Sequence, residues 1–193
     1  TQGASIPRES DAVLYTHAGP EVAVASTKAF VAQITAAYLL GLYLAQVKGA
    51  MFRDEIHQVL DSLKDMPRKI QWVLDTQPKT IQAAAERMVN ANSFLFLGRH
   101  VGYPVALEGA LKLKEIAYTF TEGFAAGELK HGPIALVDEG EPVVFIVPPQ
   151  RGRNVLHAKV ISGIEEVKAR GAYIIAVAEQ GDPDVERYAD VVF

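Results

Sequence analysis

The stretch YPVALEGALKLKEIAYTFTEGFAAGELKHGP, from Tyr103 to Pro133, carries the clearest structural pattern in the chain. Its first half predicts one helix, because at about 100° per residue Glu108, Lys112 and Glu115 fall within a wedge roughly 60° wide. Apolar residues occupy most of the remaining circumference, with Lys114 as the charged exception. A helix on a domain surface has a broad polar face instead. The pattern therefore predicts a largely buried helix with a narrow line of charge.

This line of charge has two interpretations. Glu108 and Lys112 are spaced i,i+4, and Lys112 and Glu115 are spaced i,i+3, so they can form an internal ladder of ion pairs without any function. Burying charge is costly unless it is paired, and active sites carry the same residue types. The helix alone leaves a ladder and a site equally open.

The segment after the helix favours a site. A Gly/Ala turn bounded by an aromatic residue, Phe124 to Gly127, leads into Glu128-Leu129-Lys130-His131-Gly132-Pro133. A histidine beside Gly-Pro lies where the backbone turns, so its ring can be directed into a cleft. Glu128 and His131 could share a metal, but a third ligand is not apparent and no metal is predicted.

Strands and helices alternate on both sides of this stretch. Ser93–Leu97 predicts a buried strand, and Gly98-Arg99 follows at its carboxyl end, where ligands bind in open parallel sheets. Further strands are predicted at Pro142–Val147, at Ala172–Ala178 and from Asp190, with a helix over 154–170. This order predicts an α/β fold, a doubly wound parallel sheet in three α/β/α layers with right-handed crossovers.

The N-terminal part predicts a short strand and a long apolar helix. Ala12–Thr16 is apolar enough for a buried parallel strand. Phe30–Val47 carries no charge and approaches the length of a membrane span, but polar residues interrupt it. It predicts a central helix buried on all sides, partly in a subunit interface, and no membrane partner. Ser26 predicts the N-cap of this helix, and a sugar or anion site is the alternative.

Residues 51–78 predict helices without strands, which is typical of a joint between two α/β units. Met51–Lys64 is amphipathic, and Pro67 predicts the start of a second, shorter helix that ends near Asp75. Thr76-Gln77-Pro78 predicts a further break, after which a helix is expected to about Asn90.

Composition narrows the class of protein. The chain has 193 residues, 49% of them hydrophobic and 22% charged, as in soluble globular proteins. Its net charge of -4 argues against nucleic acid as an obligate partner. The chain has no cysteine, which excludes disulfides and thiolate chemistry and fits a cytoplasmic protein. Its N-terminal residues show no signal-peptide pattern. No GxGxxG or Walker sequence is present, so no cofactor is predicted.

The remaining histidines show no metal-ligand spacing, so they are predicted to be surface or hydrogen-bonded residues. These are His17, His57, His100 and His157. The Gly-Asp-Pro-Asp segment at residues 181–184 predicts a turn with no ligand role.

Two long runs, ALEGALKLKEIAY (Ala106–Tyr118) and AAGELKHGP (Ala125–Pro133), resemble the isomerase half of the glutamine–fructose-6-phosphate aminotransferase (glucosamine-6-phosphate synthase) family, within the sugar isomerase (SIS) superfamily. The resemblance extends over essentially the whole chain, through three further motifs: RESD (Arg8–Asp11), AGPEVAVASTKAF (Ala18–Phe30) and FLGR (Phe96–Arg99).

The resemblance implies roles for particular residues. Glu115 matches the base that moves a proton between C1 and C2 of the sugar, and Lys112 matches its helper on the same helix face. His131 matches the group that opens the sugar ring and reaches the site from the partner subunit, which implies a homodimer with shared active sites. The positions that line the sugar site correspond to Val24, Ala25 and Ser26.

The resemblance also implies the domain organisation. Residues 1–50 correspond to the C-terminal remainder of a first SIS subdomain, 51–78 to a helical connector, and 79–193 to a second SIS subdomain without its C-terminal end. The family's SQSGET-like phosphate loop is expected before Thr1, its Schiff-base lysine after Phe193, and its glutaminase domain elsewhere in the parent chain. The sequence is therefore expected to be a fragment of a longer enzyme.

Two classes of function remain. The first is the catalytic core of an aminotransferase that isomerises a hexose phosphate. The second is a non-catalytic SIS module that senses phosphosugars. A sensor has no use for a proton-transfer base, whereas the base, helper and ring-opening positions are all filled here, so the sequence favours the enzyme.

Overall fold

A parallel β-sheet forms the centre of the larger of two units in a computed structural model of the chain, which describes residues 3–150 and 154–193. The units are Thr1–Leu74 and Asp75–Phe193. The sheet has five strands in the order β2-β1-β3-β4-β5, and every neighbouring pair is parallel. The strands are β1 (Ser93–Gly98), β2 (Phe120–Ala125), β3 (Pro142–Ile146), β4 (Tyr173–Val177) and β5 (Val191–Val192). The predicted α/β fold with a parallel sheet is confirmed.

Helices cover both faces of this sheet, as alternation along the strands requires. Leu95 and Leu97 of β1 pack on one face with apolar residues of α6 (Asn154–Lys168). Phe96 lies on the opposite face, against Ala106 and Ala110 of α5 (Gly102–Ala117). The sheet therefore separates two cores, and α5 and α6 lie on different sides of it. The other helices of this unit are α4 (Pro78–Arg87) and α7 (Pro183–Glu186).

The edge strand β2 was not predicted from the sequence. The sequence predicts a Gly/Ala turn from Phe124 to Gly127, which overlaps the end of this strand, and the segment FTEGFA lacks the continuous apolar run of the central strands. Of its six residues only Thr121 is buried. An edge strand has one neighbour, so less of its surface needs to be apolar.

Two glycines allow α5 to lie close to the sheet. A side chain at Gly98 would collide with the backbone carbonyl of Gly102, at the start of α5. A Cβ at Gly123 would lie 2.8 Å from a methyl group of Leu107. The buried hydroxyl of Thr121 also donates a hydrogen bond of 2.6 Å to the carbonyl of Ala110. These contacts fix the position of the helix that carries the charged line.

The first unit contains helices α1 (Ser5–Glu9) and α2 (Lys28–Val47) and all but the last two residues of α3 (Arg53–Thr76). The predicted strand at Ala12–Thr16 is wrong, since this segment has no regular structure. Within the described residues of this unit no strand is present to pair with it, and an isolated strand leaves its backbone groups without partners.

The prediction that the long apolar helix is buried on all sides is also wrong for this chain. Leu42 is the one buried residue that α2 has, and Tyr38, Leu40 and Tyr43 are more than half exposed. An all-round apolar pattern predicts burial but does not identify the surface that provides it. By length and composition α2 is also the one described helix that could cross a membrane, which is weak evidence by itself.

The two predicted helices at Met51–Lys64 and Pro67–Asp75 form one continuous helix, α3. Pro67 lies inside it, where it cannot donate the usual hydrogen bond to the preceding turn. Most of α3 is exposed, so water can satisfy the freed carbonyl. Proline therefore did not end the helix here.

His157 is a buried, hydrogen-bonded histidine, as predicted. Its Nε2 lies 2.8 Å from Oδ2 of Asp182, and both side chains are about 95% buried. The other oxygen of Asp182 accepts hydrogen bonds from the amides of Asp184 and Val185 and so caps α7. This pair connects α6 to the turn at residues 181–184.

Candidate active site

The charged line of α5 is an ordered ladder in the structure. Lys112 Nζ lies 2.7 Å from Glu115 Oε2 and 3.4 Å from Glu108 Oε1. The three side chains retain only 23–29% of their exposure, so the ladder is neither buried nor freely solvated. The structure thus brings together two of the predicted catalytic residues, Lys112 and Glu115, on one helix face.

The ladder keeps Lys112 charged. Its hydrogen bond to Glu115 is the main cause that raises the pKa of the Lys112 ammonium. Partial desolvation acts in the opposite direction, and the bond to Glu108 adds to the rise. Lys112 is a cation at neutral pH, as an ordinary lysine is, and the direction of this pKa shift favours that charged form. The ammonium can therefore stabilise negative charge that develops beside it.

His131 lies on the surface of the second unit, in a 3₁₀ turn from Leu129 to His131. Leu129 is fully buried and anchors the turn, while the side chain of His131 is 71% exposed. Its Nδ1 lies 2.8 Å from Oε2 of Glu128. Gly132 follows with φ of 150°, a conformation that favours glycine, and separates this turn from the next 3₁₀ turn, Pro133–Leu136. The exposed ring is thus held by Glu128 and is accessible to another molecule.

Val24, Ala25 and Ser26 lie in the first unit, in the loop that precedes α2. Val24 is exposed and Ala25 is buried. The predicted N-cap role of Ser26 is wrong, because the N-cap position is Thr27 and neither residue caps the helix through its own side chain. The hydroxyl of Ser26 instead donates a long hydrogen bond of 3.4 Å to Glu21.

Glu21 is the residue that caps α2, and it was not predicted. One of its oxygens accepts from the amides of Thr27 and Lys28, at 2.9 and 3.1 Å, and the other accepts from the amide of Ala29 at 3.1 Å. The Thr27 hydroxyl donates a further bond of 2.6 Å. Glu21 therefore occupies the amides that were considered for an anionic ligand. The one sequence feature that could have indicated this cap is a carboxylate a few residues before an apolar helix.

These bonds, the Thr27 hydroxyl first and its amide next, lower the pKa of Glu21 from 4.5 to about 2. A lowered folded-state pKa adds stability that is present above the unfolded value and disappears as pH falls from about 4.5 towards about 2. We therefore expect Glu21→Gln in the full-length protein to increase amide hydrogen exchange at Thr27, Lys28 and Ala29 at pH 7. The difference from the parent should shrink as pH falls through that window.

Glu9→Gln is the matched control, since Glu9 is an exposed carboxylate of the same unit and forms no hydrogen bond to the first turn of α2 in the described part of the chain. It should leave exchange at residues 27–29 unchanged at every pH. Equal exchange in the parent and in Glu21→Gln at pH 7 would contradict the capping role.

One group of side chains could hold a metal ion by distance alone. The ligand atoms of His157, Asp182 and Asp184 lie within 4.8 Å of one another. Both oxygens of Asp182 already accept hydrogen bonds, from His157 and from the first amides of α7. These bonds explain the cluster as a structural link between α6 and α7.

The sequence and the fold both match one family. Residues 87–193, more than half of the chain, match the SIS domain, and the chain therefore belongs to the SIS domain family. Over 190 residues the chain is 66% identical to the glutamine–fructose-6-phosphate aminotransferase [isomerizing] of Corynebacterium diphtheriae and 60% identical to that of Streptomyces coelicolor. These alignments cover 98% of this chain but only 30% and 31% of the relatives.

A solved structure supports the same assignment. The C-terminal domain of glucosamine-fructose-6-phosphate aminotransferase from Francisella tularensis superposes with a TM-score of 0.91 at 36% identity. It covers the whole of this chain and 53% of that chain. The predicted resemblance to the isomerase half of this family is confirmed, and the chain spans about a third of the length of the curated relatives it matches.

Proposed function

We propose that this chain is the sugar-isomerising part of a glutamine–fructose-6-phosphate aminotransferase. The full protein would make glucosamine 6-phosphate from fructose 6-phosphate and ammonia released from glutamine. The observation that carries the proposal is the half-buried ion pair of Lys112 and Glu115, at 2.7 Å, in a chain more than half identical to relatives of that name.

In the proposed reaction Glu115 is the base. Its carboxylate removes a proton from C1 of the protonated fructose 6-phosphate imine. The electron pair of that C–H bond forms the C1=C2 bond of an enolamine, while the π pair of the C2=N bond moves onto the nitrogen. The same carboxylate then returns the proton to C2 as the C1 hydroxyl loses its proton to water, which leaves the aldehyde at C1 and the amine on C2. No oxidant or cofactor is needed, because the two carbons exchange oxidation levels.

Lys112 acts beside this base as a fixed positive charge. Its hydrogen bond to Glu115 raises the pKa of the Lys112 ammonium, which favours the charged form. The charge stabilises the enolamine oxyanion as it develops. Because Lys112 bonds both Glu108 and Glu115, the lysine is held in place before the substrate arrives.

His131 opens the sugar ring in the proposed mechanism, acting in the partner subunit's site. Its exposed ring and its hydrogen bond to Glu128 support this role, since an exposed, oriented imidazole can exchange protons with a sugar oxygen. The proposal therefore includes a homodimer whose active sites are shared.

The loop before α2 and the two SIS subdomains also have roles in the proposed enzyme. The sugar site is lined by Val24, Ala25 and Ser26. They lie in a loop in which Glu21 accepts hydrogen bonds from Ser26 and Thr27. Residues 1–50 belong to a first SIS subdomain, 51–78 connect it, and 79–193 form the second subdomain. The parent protein would carry a glutaminase domain, act in the cytoplasm, and need neither a membrane nor nucleic acid.

The test is an assay of the full-length protein with fructose 6-phosphate and either glutamine or ammonium. We expect glucosamine 6-phosphate to accumulate, detected by mass spectrometry, and fructose 6-phosphate to be consumed with it. Binding of the sugar phosphate without conversion would favour the phosphosugar-sensing module instead.

A further inference from the structure

A cavity opens at the carboxyl end of the sheet, and its lining contains none of the residues assigned to the reaction. It has a volume of about 260 Å³. Arg99, which follows β1, and Gly127, which follows β2, form one wall, and residues of α6 form another. The carboxyl ends of parallel strands are where α/β proteins bind their ligands. The position alone makes the cavity a candidate binding site.

The cavity is rich in positive charge. Arg99, Lys130 and Lys159 line it together with a single carboxylate, Glu166. Lys130 is paired with Glu166 at 2.7 Å, so these two charges compensate each other. Arg99 and Lys159 remain, and within the described residues neither has a carboxylate partner. Two uncompensated cations match the charge of a phosphate monoester dianion. The hydroxyl of Ser162 adds a further polar group to the wall.

Arg99 has an unmet hydrogen-bonding capacity. Its Nε is buried and has no hydrogen-bond partner in the part of the chain that the structure describes. One terminal nitrogen makes only a long contact of 3.5 Å, to the carbonyl of Ala126. Buried donors are normally satisfied, so this donor, which lacks a partner in the described part of the chain and lies at a cavity, is available to an acceptor oxygen of a ligand. A guanidinium is well suited to binding phosphate oxygens.

This cavity is separate from the proposed active site. Lys112 and Glu115 belong to α5, which packs on the face of the sheet that carries Phe96. The cavity lies beside α6, whose residues pack on the opposite face. The two share one link, since Leu129 and Lys130 line the cavity and belong to the 3₁₀ turn that ends at His131.

We propose that this cavity binds the phosphate group of a phosphate monoester, held by Arg99 and Lys159. An occupant contacts the turn that bears His131, so the site is placed to couple ligand binding to that histidine. The binding itself does not depend on the proposed function.

The test measures binding of inorganic phosphate to the full-length protein by ³¹P NMR at constant ionic strength. We expect Arg99→Gln and Lys159→Gln each to weaken the site by about tenfold, the effect of losing one charge-assisted hydrogen bond. Lys79→Gln is the control, because it removes the same charge from an exposed position on α4 away from the cavity. Phosphate bound elsewhere, including at a sugar site, contributes equally to all the proteins.

Each outcome decides the proposal. If Arg99→Gln does not fold, Lys159→Gln remains informative, since Lys159 is exposed and forms no ion pair in the described part of the chain. Phosphate binding that is equal in the parent, Lys159→Gln and Lys79→Gln overturns the site, and so does a parent that binds no phosphate. Loss of binding in Lys159→Gln supports the site even if the protein forms no glucosamine 6-phosphate.

Discussion

Glu115→Gln in the full-length protein is expected to reduce glucosamine 6-phosphate formation by about 10²- to 10⁴-fold, the usual contribution of a general base. The amide keeps the size and shape of the carboxylate but cannot take a proton from C1 and return it to C2. The measurement is the initial rate with fructose 6-phosphate and ammonium, which separates sugar isomerisation from glutamine hydrolysis. Loss of kcat with little change in KM is expected, because the group acts in the transition state.

The chain offers a matched control on the same helix face. Glu108 also pairs with Lys112, at 3.4 Å, and is as exposed as Glu115. Glu108→Gln therefore removes one carboxylate from the same ladder, and both variants should lower the unfolding temperature by similar amounts. Only Glu115→Gln should lose isomerisation. A near-parental rate in Glu115→Gln, or an equal loss in Glu108→Gln, would show that the ladder stabilises α5 without supplying the base.

The sequence predicted this ladder because helical spacing determines which side chains are neighbours. Residues three and four positions apart meet on any α-helix, so the pairs of Lys112 with Glu108 and Glu115 required no tertiary information. The central strands were predictable for a similar reason, since a strand buried on both faces has a continuous apolar run. Whether the ladder is catalytic cannot be derived from spacing, because a structural ladder has the same spacing.

The sequence-based predictions that the structure contradicts concern features that depend on residues far away in the chain. A strand at Ala12–Thr16 requires a neighbouring strand, and the burial of α2 requires a surface to cover it. Local sequence specifies neither of them. The sequence does not predict the edge strand β2, because its residues lack a strong strand pattern. Its hydrogen-bonded pairing with β1 stabilises the strand instead. Pro67 lies within α3 without ending it, because an exposed helix tolerates the loss of one hydrogen bond.

The cap of α2 shows a limit of local capping rules. Ser26 and Thr27 both have side chains of the usual capping type, so a local rule selects one of them. Glu21 can form more bonds than either, because a carboxylate has two oxygens and accepts from three amides and a hydroxyl. Its distance along the chain, six residues from Thr27, lies outside the capping-box spacing. The conformation of the loop therefore decided which residue caps the helix.

The second large effect concerns His131 and the assembly. If His131 serves the site of the partner subunit, the inactive variants Glu115→Gln and His131→Ala should complement each other when their subunits are mixed. Each mixed dimer then has one site with both groups intact and one site with neither. Random pairing makes about half of the dimers mixed, so activity should recover to roughly a quarter of the parental value. Native mass spectrometry of the mixture measures the subunit exchange on which this figure depends.

A reciprocal mixture distinguishes the two arrangements. Parent subunits are mixed with subunits that carry both substitutions, and the mixed dimers are purified through two different affinity tags. If His131 acts across the interface, each site lacks either Glu115 or His131, and the mixed dimer is inactive. If both groups serve the same subunit, the parent half keeps a complete site, and the mixed dimer retains about half of the parental activity. An active mixed dimer here, together with no recovery in the first mixture, would assign His131 to its own subunit, because the two experiments predict opposite results for the two arrangements.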